Sequence, residues 1–143
     1  GCNNKTALSE KQLENYTSNY IQIKYLGKTD DIVSLLKSVD VMVLPSYREG
    51  LSKSLIEAAA MNLPIITTNV PGCRDVVEDE FNGFLCEPKS KYSLEKAINK
   101  VLNLTENERL EFGLNGREKV INKFSSKIVN KIYLDKINEI KNL

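Results

Sequence analysis

Two glutamates eight residues apart, Glu49 and Glu57, are the side chains of this sequence best placed to do chemistry. Glu57 sits between Leu55, Ile56, Ala58, Ala59 and Ala60. A carboxylate in so apolar a run needs a partner, because burying an unpaired charge is costly. Vicinal hydroxyls, such as those of a ribose, can donate two hydrogen bonds to one carboxylate. Glu49 lies in the polar stretch Tyr47-Arg48-Glu49-Gly50-Leu51, within reach of a second group bound beside the first. Taken alone, either glutamate is equally well read as a solvated residue or an ion-pair partner. The chain has no histidine, so the usual general base near neutral pH is missing, and with it any Ser-His or Cys-His pair. Chemistry here must use carboxylates, backbone dipoles or groups on another domain.

The order of elements around the two acids carries the argument. Val41-Met42-Val43-Leu44 is a continuous apolar run stopped by Pro45, and Ile65-Ile66-Thr67 is another, opened by Pro64. Runs apolar on both faces and separated by helices mark a buried parallel sheet. Between them Ser52 to Met61, rich in Leu and Ala, reads as a helix, which completes a parallel crossover unit. Ligands of open α/β sheets bind at the C-terminal ends of the strands, where the loop from Ser46 to Leu51 falls. A helix starting near Ser52 aims free backbone N–H groups and a partial positive charge at that crevice, a setting suited to a phosphate. Gly50 lets a ligand approach the backbone, and Ser52 and Ser54 can cap the helix or donate hydrogen bonds.

The remaining elements frame this unit. Ser9 with Gln12 forms a capping box that predicts a helix from Glu10 to Ser18. Ile21 to Tyr25 alternates and predicts a strand, ended by Gly27; Asp30 or Asp31 then opens a short helix. Pro71-Gly72 predicts a turn before a helical piece from Arg74 to Val77, and Asn82-Gly83 a turn before a strand at Phe84-Leu85-Cys86. From residue 89 to residue 143 the pattern is helical: Leu94, Ala97, Ile98 and Val101 recur at helical spacing, and Thr105 with Glu108 is a second capping box. Ser125 or Ser126 caps a last helix whose apolar face uses Val129, Ile132, Tyr133, Ile137 and Ile140. The expected fold class is α/β, a Rossmann-like parallel sheet of about four strands flanked by helices, with residues 1–88 the α/β portion of one partial domain.

Composition narrows the partners. Lys plus Arg number 20 against 19 Asp plus Glu, a net charge of +1 that supplies no global field for nucleic acid. No apolar run reaches the ~18 residues of a membrane span, and the N-terminus carries no signal-peptide pattern and reads as cut from something longer. Cys2, Cys73 and Cys86 have no paired spacing, which predicts reduced thiols and neither a disulfide framework nor a zinc site.

The combined pattern resembles the C-terminal domain of family 4 glycosyltransferases. It is carried by Pro45-Ser46-Tyr47-Arg48-Glu49-Gly50, Ser54-Leu55-Ile56-Glu57-Ala58, Leu63-Pro64-Ile65-Ile66-Thr67, Pro71-Gly72-Cys73 and Asn82-Gly83-Phe84-Leu85. The Pro-Gly-Cys and Glu-Ala-Ala-Ala-Met stretches are similar to those of bacterial enzymes that build capsules and other surface glycans. The resemblance implies the glycosyltransferase-B architecture of two facing Rossmann-like domains. It implies transfer of a sugar from a nucleotide diphosphate, with UDP the expected nucleotide, with retention of anomeric configuration and with no metal or other cofactor. On the matching positions Glu49 is the catalytic acid-motif residue against the donor sugar and Glu57 holds the ribose hydroxyls. The backbone of Gly50, Leu51, Ser52, Lys53 and Ser54 faces the diphosphate and sugar, and Gly27 and Lys28 lie near the base.

The sequence departs from the family pattern in three respects. The glycine-and-arginine loop and the following lysine that clamp the diphosphate are absent, as is the N-terminal domain that takes a glycan or lipid-linked acceptor. The isolated chain is therefore expected to be inactive, while the longer protein is expected to be cytoplasmic or peripheral to the inner face of the membrane. Ser52 also stands where the family commonly has glycine. Two further readings stay open: a non-catalytic binding or assembly module that forms a homodimer through an exposed sheet edge, and an epimerase of related architecture.

Overall fold

The structure is a computed structural model, and it describes residues 8–20 and 22–141. Cys2 and Ile21, which entered the thiol and strand expectations, lie outside the described residues. The chain divides into two compact units, residues 1–32 and 33–143.

In the first unit, helix α1 (Glu10–Asn19) starts at the expected capping box: Gln12 N–H donates to Ser9 Oγ at 3.3 Å, and Ser9 N–H donates to Gln12 Oε1 at 2.9 Å. Two orphan donors are thereby satisfied by one side-chain pair. Over its described part, residues 22–25, the expected Ile21–Tyr25 strand does not form. Residues 22–25 join no sheet, Ile23 N–H donates to Tyr20 O at 2.8 Å, and Ile23, Tyr25 and Leu26 are exposed. Alternation supplies a face, but a strand exists only through ladder bonds to a neighbour, and short local pairing is marginal without one.

The second unit opens with α2 (Ile32–Lys37), which buries Leu36. Its sheet has three strands, β1 (Met42–Leu44), β2 (Ile65–Thr68) and β3 (Gly83–Cys86), in the order β1-β2-β3 and parallel throughout. Ile66 stands beside Val43 and Phe84, and Thr67 beside Leu44 and Leu85. All four β2 positions are buried, as expected of a central strand covered on both faces. The alternation of the strand splits its side chains. Ile66, Phe84 and Cys86 form a core with Ala97 and Val101 of α5 (Lys91–Leu102). The crossover helix α3 (Lys53–Ala60) packs on β1 and β2 and buries Leu55, Ala58 and Ala59. Burial of Leu55 contributes ~1.5–3 kcal/mol by removing it from water, and each alanine methyl about 0.8 kcal/mol.

The connection from β2 to β3 is α4 (Pro71–Arg74), which starts at Pro71 itself and not at Arg74 as the sequence suggested. Proline suits the first helical turn because its missing N–H is unused there. Cys73, Val76 and Val77 follow as fully buried residues. Three helices close the chain: α5, α6 (Glu106–Phe124) and α7 (Ser126–Lys141). Helix α6 begins at the Thr105–Glu108 capping box and lies against α3. Ser125 separates α6 from α7, and its carbonyl accepts from Ile128 and Val129. Helix α7 buries no residue, and the apolar face expected for it is solvent-exposed.

Candidate functional site

Pro45 ends β1, and Ser46 N–H turns back to Leu44 O at 3.0 Å. The neighbouring strand then holds this end in place. Thr67 Oγ1 donates to Leu44 O at 2.8 Å, and Thr68 Oγ1 donates to Ser46 O. Ser46 Oγ donates to Glu49 Oε1 at 2.7 Å, so the half-buried carboxylate of Glu49 is tethered to the strand end three residues before it. Tyr47, Arg48, Gly50 and Leu51 are exposed. A Cβ placed on Gly50 would meet nothing within 4 Å, so its exposed side is open to an incoming group.

Helix α3 begins at Lys53 with Ser52 in the cap position, buried to 5% exposure. The expectation that Ser52 caps the helix is only half met. Its backbone adopts the extended conformation of a cap and its carbonyl accepts Ile56 N–H at 3.2 Å, but its hydroxyl makes no capping bond. That hydroxyl lies 3.1 Å from Ser54 Oγ instead. The first N–H groups of α3 thus have no intrahelical acceptor and no side-chain cap, and they carry the positive end of the helix dipole. Glu57 sits one turn further in, half-buried, with its Oε1 3.5 Å from Nζ of Lys53. The partner that the apolar flanks demanded is therefore present, but it is an ammonium four residues earlier on the helix surface.

Beside the loop, on the α5 side of the sheet, a cavity of about 210 Å³ is lined by Pro45, Tyr47, Thr68, Glu87, Lys89 and Lys91 among others. Glu49 and Glu57 do not line it. Lys89 Nζ stands 5.8 Å from the Tyr47 ring centre, at the range of a cation–π contact. Cys86 also faces this cavity, and burial pushes its thiol up from the ordinary value, which disfavours the reactive thiolate. Cys73 is fully buried, in agreement with a packing role.

Loop 46–51 and α3 gather Glu49, Gly50, Leu51, Ser52, Lys53, Ser54 and Glu57 at one strand end of the second unit. Gly27 and Lys28 belong to the first unit, where Gly27 is left-handed with φ 69°. The residue that the motif reading left as a simple turn is Gly72. It is buried, and a Cβ on it would overlap the Gly50 carbonyl and lie 2.6 Å from Glu49 O. Only the Pro71-Gly72 dipeptide hinted at it; the contact spans more than twenty residues and is invisible to local patterning.

Comparison with known proteins accounts for this arrangement. The profile described as "Glycosyl transferases group 1" matches residues 5–119, and the chain belongs to that family. It is 39% identical over 111 residues to the capsular polysaccharide biosynthesis glycosyltransferase CapM of Staphylococcus aureus, covering 78% of this chain and 28% of CapM. It is 36% identical over 116 residues to the UDP-Gal:alpha-D-GlcNAc-diphosphoundecaprenol alpha-1,3-galactosyltransferase of Escherichia coli, covering 80% of this chain and 28% of that enzyme. The fold matches the C-terminal domain of a group 1 glycosyl transferase, LpcC, of Francisella tularensis with a TM-score of 0.66 and 21% identity, over 81% of this chain and 62% of that one. The chain is thus the C-terminal, Rossmann-like half of a glycosyltransferase-B fold, and it spans less than a third of the length of these two curated relatives. Among the described residues no helix is long and apolar enough to cross a membrane.

Proposed function

We propose that this chain is the donor-binding half of a retaining glycosyltransferase that takes a sugar from a UDP-sugar and passes it to a glycan or lipid-linked acceptor in surface-polysaccharide synthesis. The observation that carries the reading is the uncapped N-terminus of α3, opening at the end of a parallel strand with Glu49 before it and Glu57 one turn after it. Relatives named for capsule synthesis and for UDP-galactose transfer support the same direction.

In this reading the backbone N–H groups from Gly50 to Ser54 receive the diphosphate, and the helix dipole stabilises charge that develops on it as the sugar leaves. Glu49, already oriented by Ser46, accepts hydrogen bonds from hydroxyls of the donor sugar. Glu57 exchanges its Lys53 partner for the two ribose hydroxyls. No metal ion is invoked. The acceptor binds on a partner domain of the longer protein at the cytoplasmic side of the membrane, so the chain alone binds donor without turning it over.

Calorimetric titration of UDP and of UDP-sugars into the chain tests the assignment. Saturable binding with one site per chain supports it, and no heat with any of them at millimolar concentration refutes it. The non-catalytic alternative keeps one observation in its favour: β1 is an outer strand with Val43 exposed, and an outer strand is a template for pairing. Sedimentation that shows a dimer without nucleotide binding would favour that reading.

A further inference from the structure

We propose that Gly72 is a positioning residue that sets where Glu49 stands, with Thr68 as its hydrogen-bonding counterpart. The inference rests on the reading of Glu49 as a donor-sugar contact. Gly72 is not in the left-handed region, so glycine is not demanded there by backbone conformation. It is demanded by space. A side chain at this place would overlap the Gly50 carbonyl and come within 2.6 Å of Glu49 O, closer than the 3.0 Å that real Cβ atoms keep. The loop has little else to fix it. Among the described residues, 47–51 make no backbone–backbone hydrogen bond. Its ties are the Thr68 hydroxyl on Ser46 O, the Ser46 hydroxyl on Glu49 and the Lys89 contact with the Tyr47 ring.

Two other tight glycines differ in what they touch. Gly83 abuts Ile65 O within the sheet, and Gly113 abuts the backbone of Asn62 at the far end of α3. Both serve packing away from the acidic loop, whereas Gly72 bears on the loop itself. A methyl group there lifts the backbone of Glu49 and Gly50 by an ångström or more. A misplacement of about 1 Å is enough to cost on the order of a hundredfold in positioned chemistry.

The test uses the intact chain, thermal melting and calorimetry with UDP and with four UDP-sugars: UDP-glucose, UDP-galactose and their N-acetylhexosamine counterparts. The readout is the ratio of affinities for the tightest-bound UDP-sugar and for UDP. Gly72→Ala is expected to lower that ratio about tenfold, while UDP, which keeps Glu57 and the α3 amides and loses only the displaced Gly50 amide, weakens no more than about fivefold. Thr68→Val is expected to lower it in the same direction, and Thr68→Ser, which keeps the hydroxyl, to restore it. An unchanged ratio in folded Gly72→Ala overturns the proposal, as does an equal loss for UDP and UDP-sugar. Should Gly72→Ala not fold, the Thr68 pair decides: no difference between valine and serine overturns it. Glu49→Gln separates the two claims. If that variant leaves the ratio intact, the donor reading itself has failed; if it collapses the ratio while Gly72→Ala does not, only the positioning claim has.

Discussion

Glu57→Gln separates a ligand-binding role from a structural one. Among the described residues the carboxylate of Glu57 pairs only with Lys53, at 3.5 Å, with the lysine side chain 87% exposed and the glutamate side chain 32% exposed. An i,i+4 pair so open to water is worth ~0.3–0.5 kcal/mol, and lysine preceding glutamate is the weaker order. Glutamine has nearly the same helix propensity. The variant should therefore lose no more than about 0.5 kcal/mol, a shift of roughly 1–2 °C in melting temperature for a chain of this size. Nucleotide binding should respond far more. Two hydroxyls donating to one carboxylate form charge-assisted bonds worth ~1.5–3 kcal/mol each, and a glutamine carbonyl keeps one acceptor without the charge. A net loss of ~1.5–3 kcal/mol weakens UDP about 10- to 150-fold. Calorimetric titration of UDP and a thermal melt, in one buffer, measure both quantities. UDP affinity within about twofold of the parent chain in a folded variant would refute the ribose assignment. A melting temperature lowered by more than about 5 °C would show instead that Glu57 holds the fold.

The other predictions concern what supports the site. Gly113→Ala should destabilise by ~1–3 kcal/mol, because its Cβ would stand 2.7 Å from the backbone carbon of Asn62, which ends α3 in the left-handed conformation and cannot yield. Gly116→Ala, with 3.6 Å of room to Ala59 Cβ, should be neutral or stabilising by up to ~1 kcal/mol, and chemical denaturation of the two variants side by side checks the contrast. Glu108 should contribute to acid sensitivity. Its carboxylate accepts from Thr105 N and Oγ1, both at 2.7 Å, and these bonds hold its pKa below the ordinary carboxylate value. A lowered folded value means that the contribution is complete above the ordinary carboxylate range and is lost as pH falls through the lowered value. Glu108→Gln keeps a neutral acceptor, so the stability difference between parent and variant should shrink in melts taken from pH 6 down to about pH 3.

What the sequence made legible was local. The capping boxes at Ser9–Gln12 and Thr105–Glu108 fix their helices with residues three apart, and both form. The runs Val41–Leu44 and Ile65–Thr67 read as buried strands, and paired strands form at Met42–Leu44 and Ile65–Thr68. Ile21–Tyr25 failed because alternation describes a face and not a partner. The site split along the same line. Type and spacing singled out Glu49 and Glu57 and put them on the loop and helix where they stand, and even the Lys53 partner of Glu57 was an i,i+4 pair open to view. Ser52 looked like a cap but turns its hydroxyl to Ser54. Gly72 and Thr68 were missed because their meaning lies in contacts with a loop more than twenty residues away.

The two ends of α3 are treated in opposite ways, and the contrast bears on the binding role proposed for it. At its C-terminus Asn62 turns left-handed, Arg117 Nη1 donates to Ala60 O at 2.6 Å, and Gly113 brings α6 against the backbone. Along its length Leu55, Ala58 and Ala59 are fully buried. At its N-terminus the serine that would add ~0.5–2 kcal/mol as a cap makes no capping bond. A helix optimised only for stability would be capped where α3 is open. Leaving those amides without a protein acceptor is tolerable because the rest of the helix is anchored by packing, and it is useful only if an external acceptor arrives. Packing against α6 and β2 holds α3 while its first N–H groups stay open, which is the arrangement the proposed diphosphate site requires.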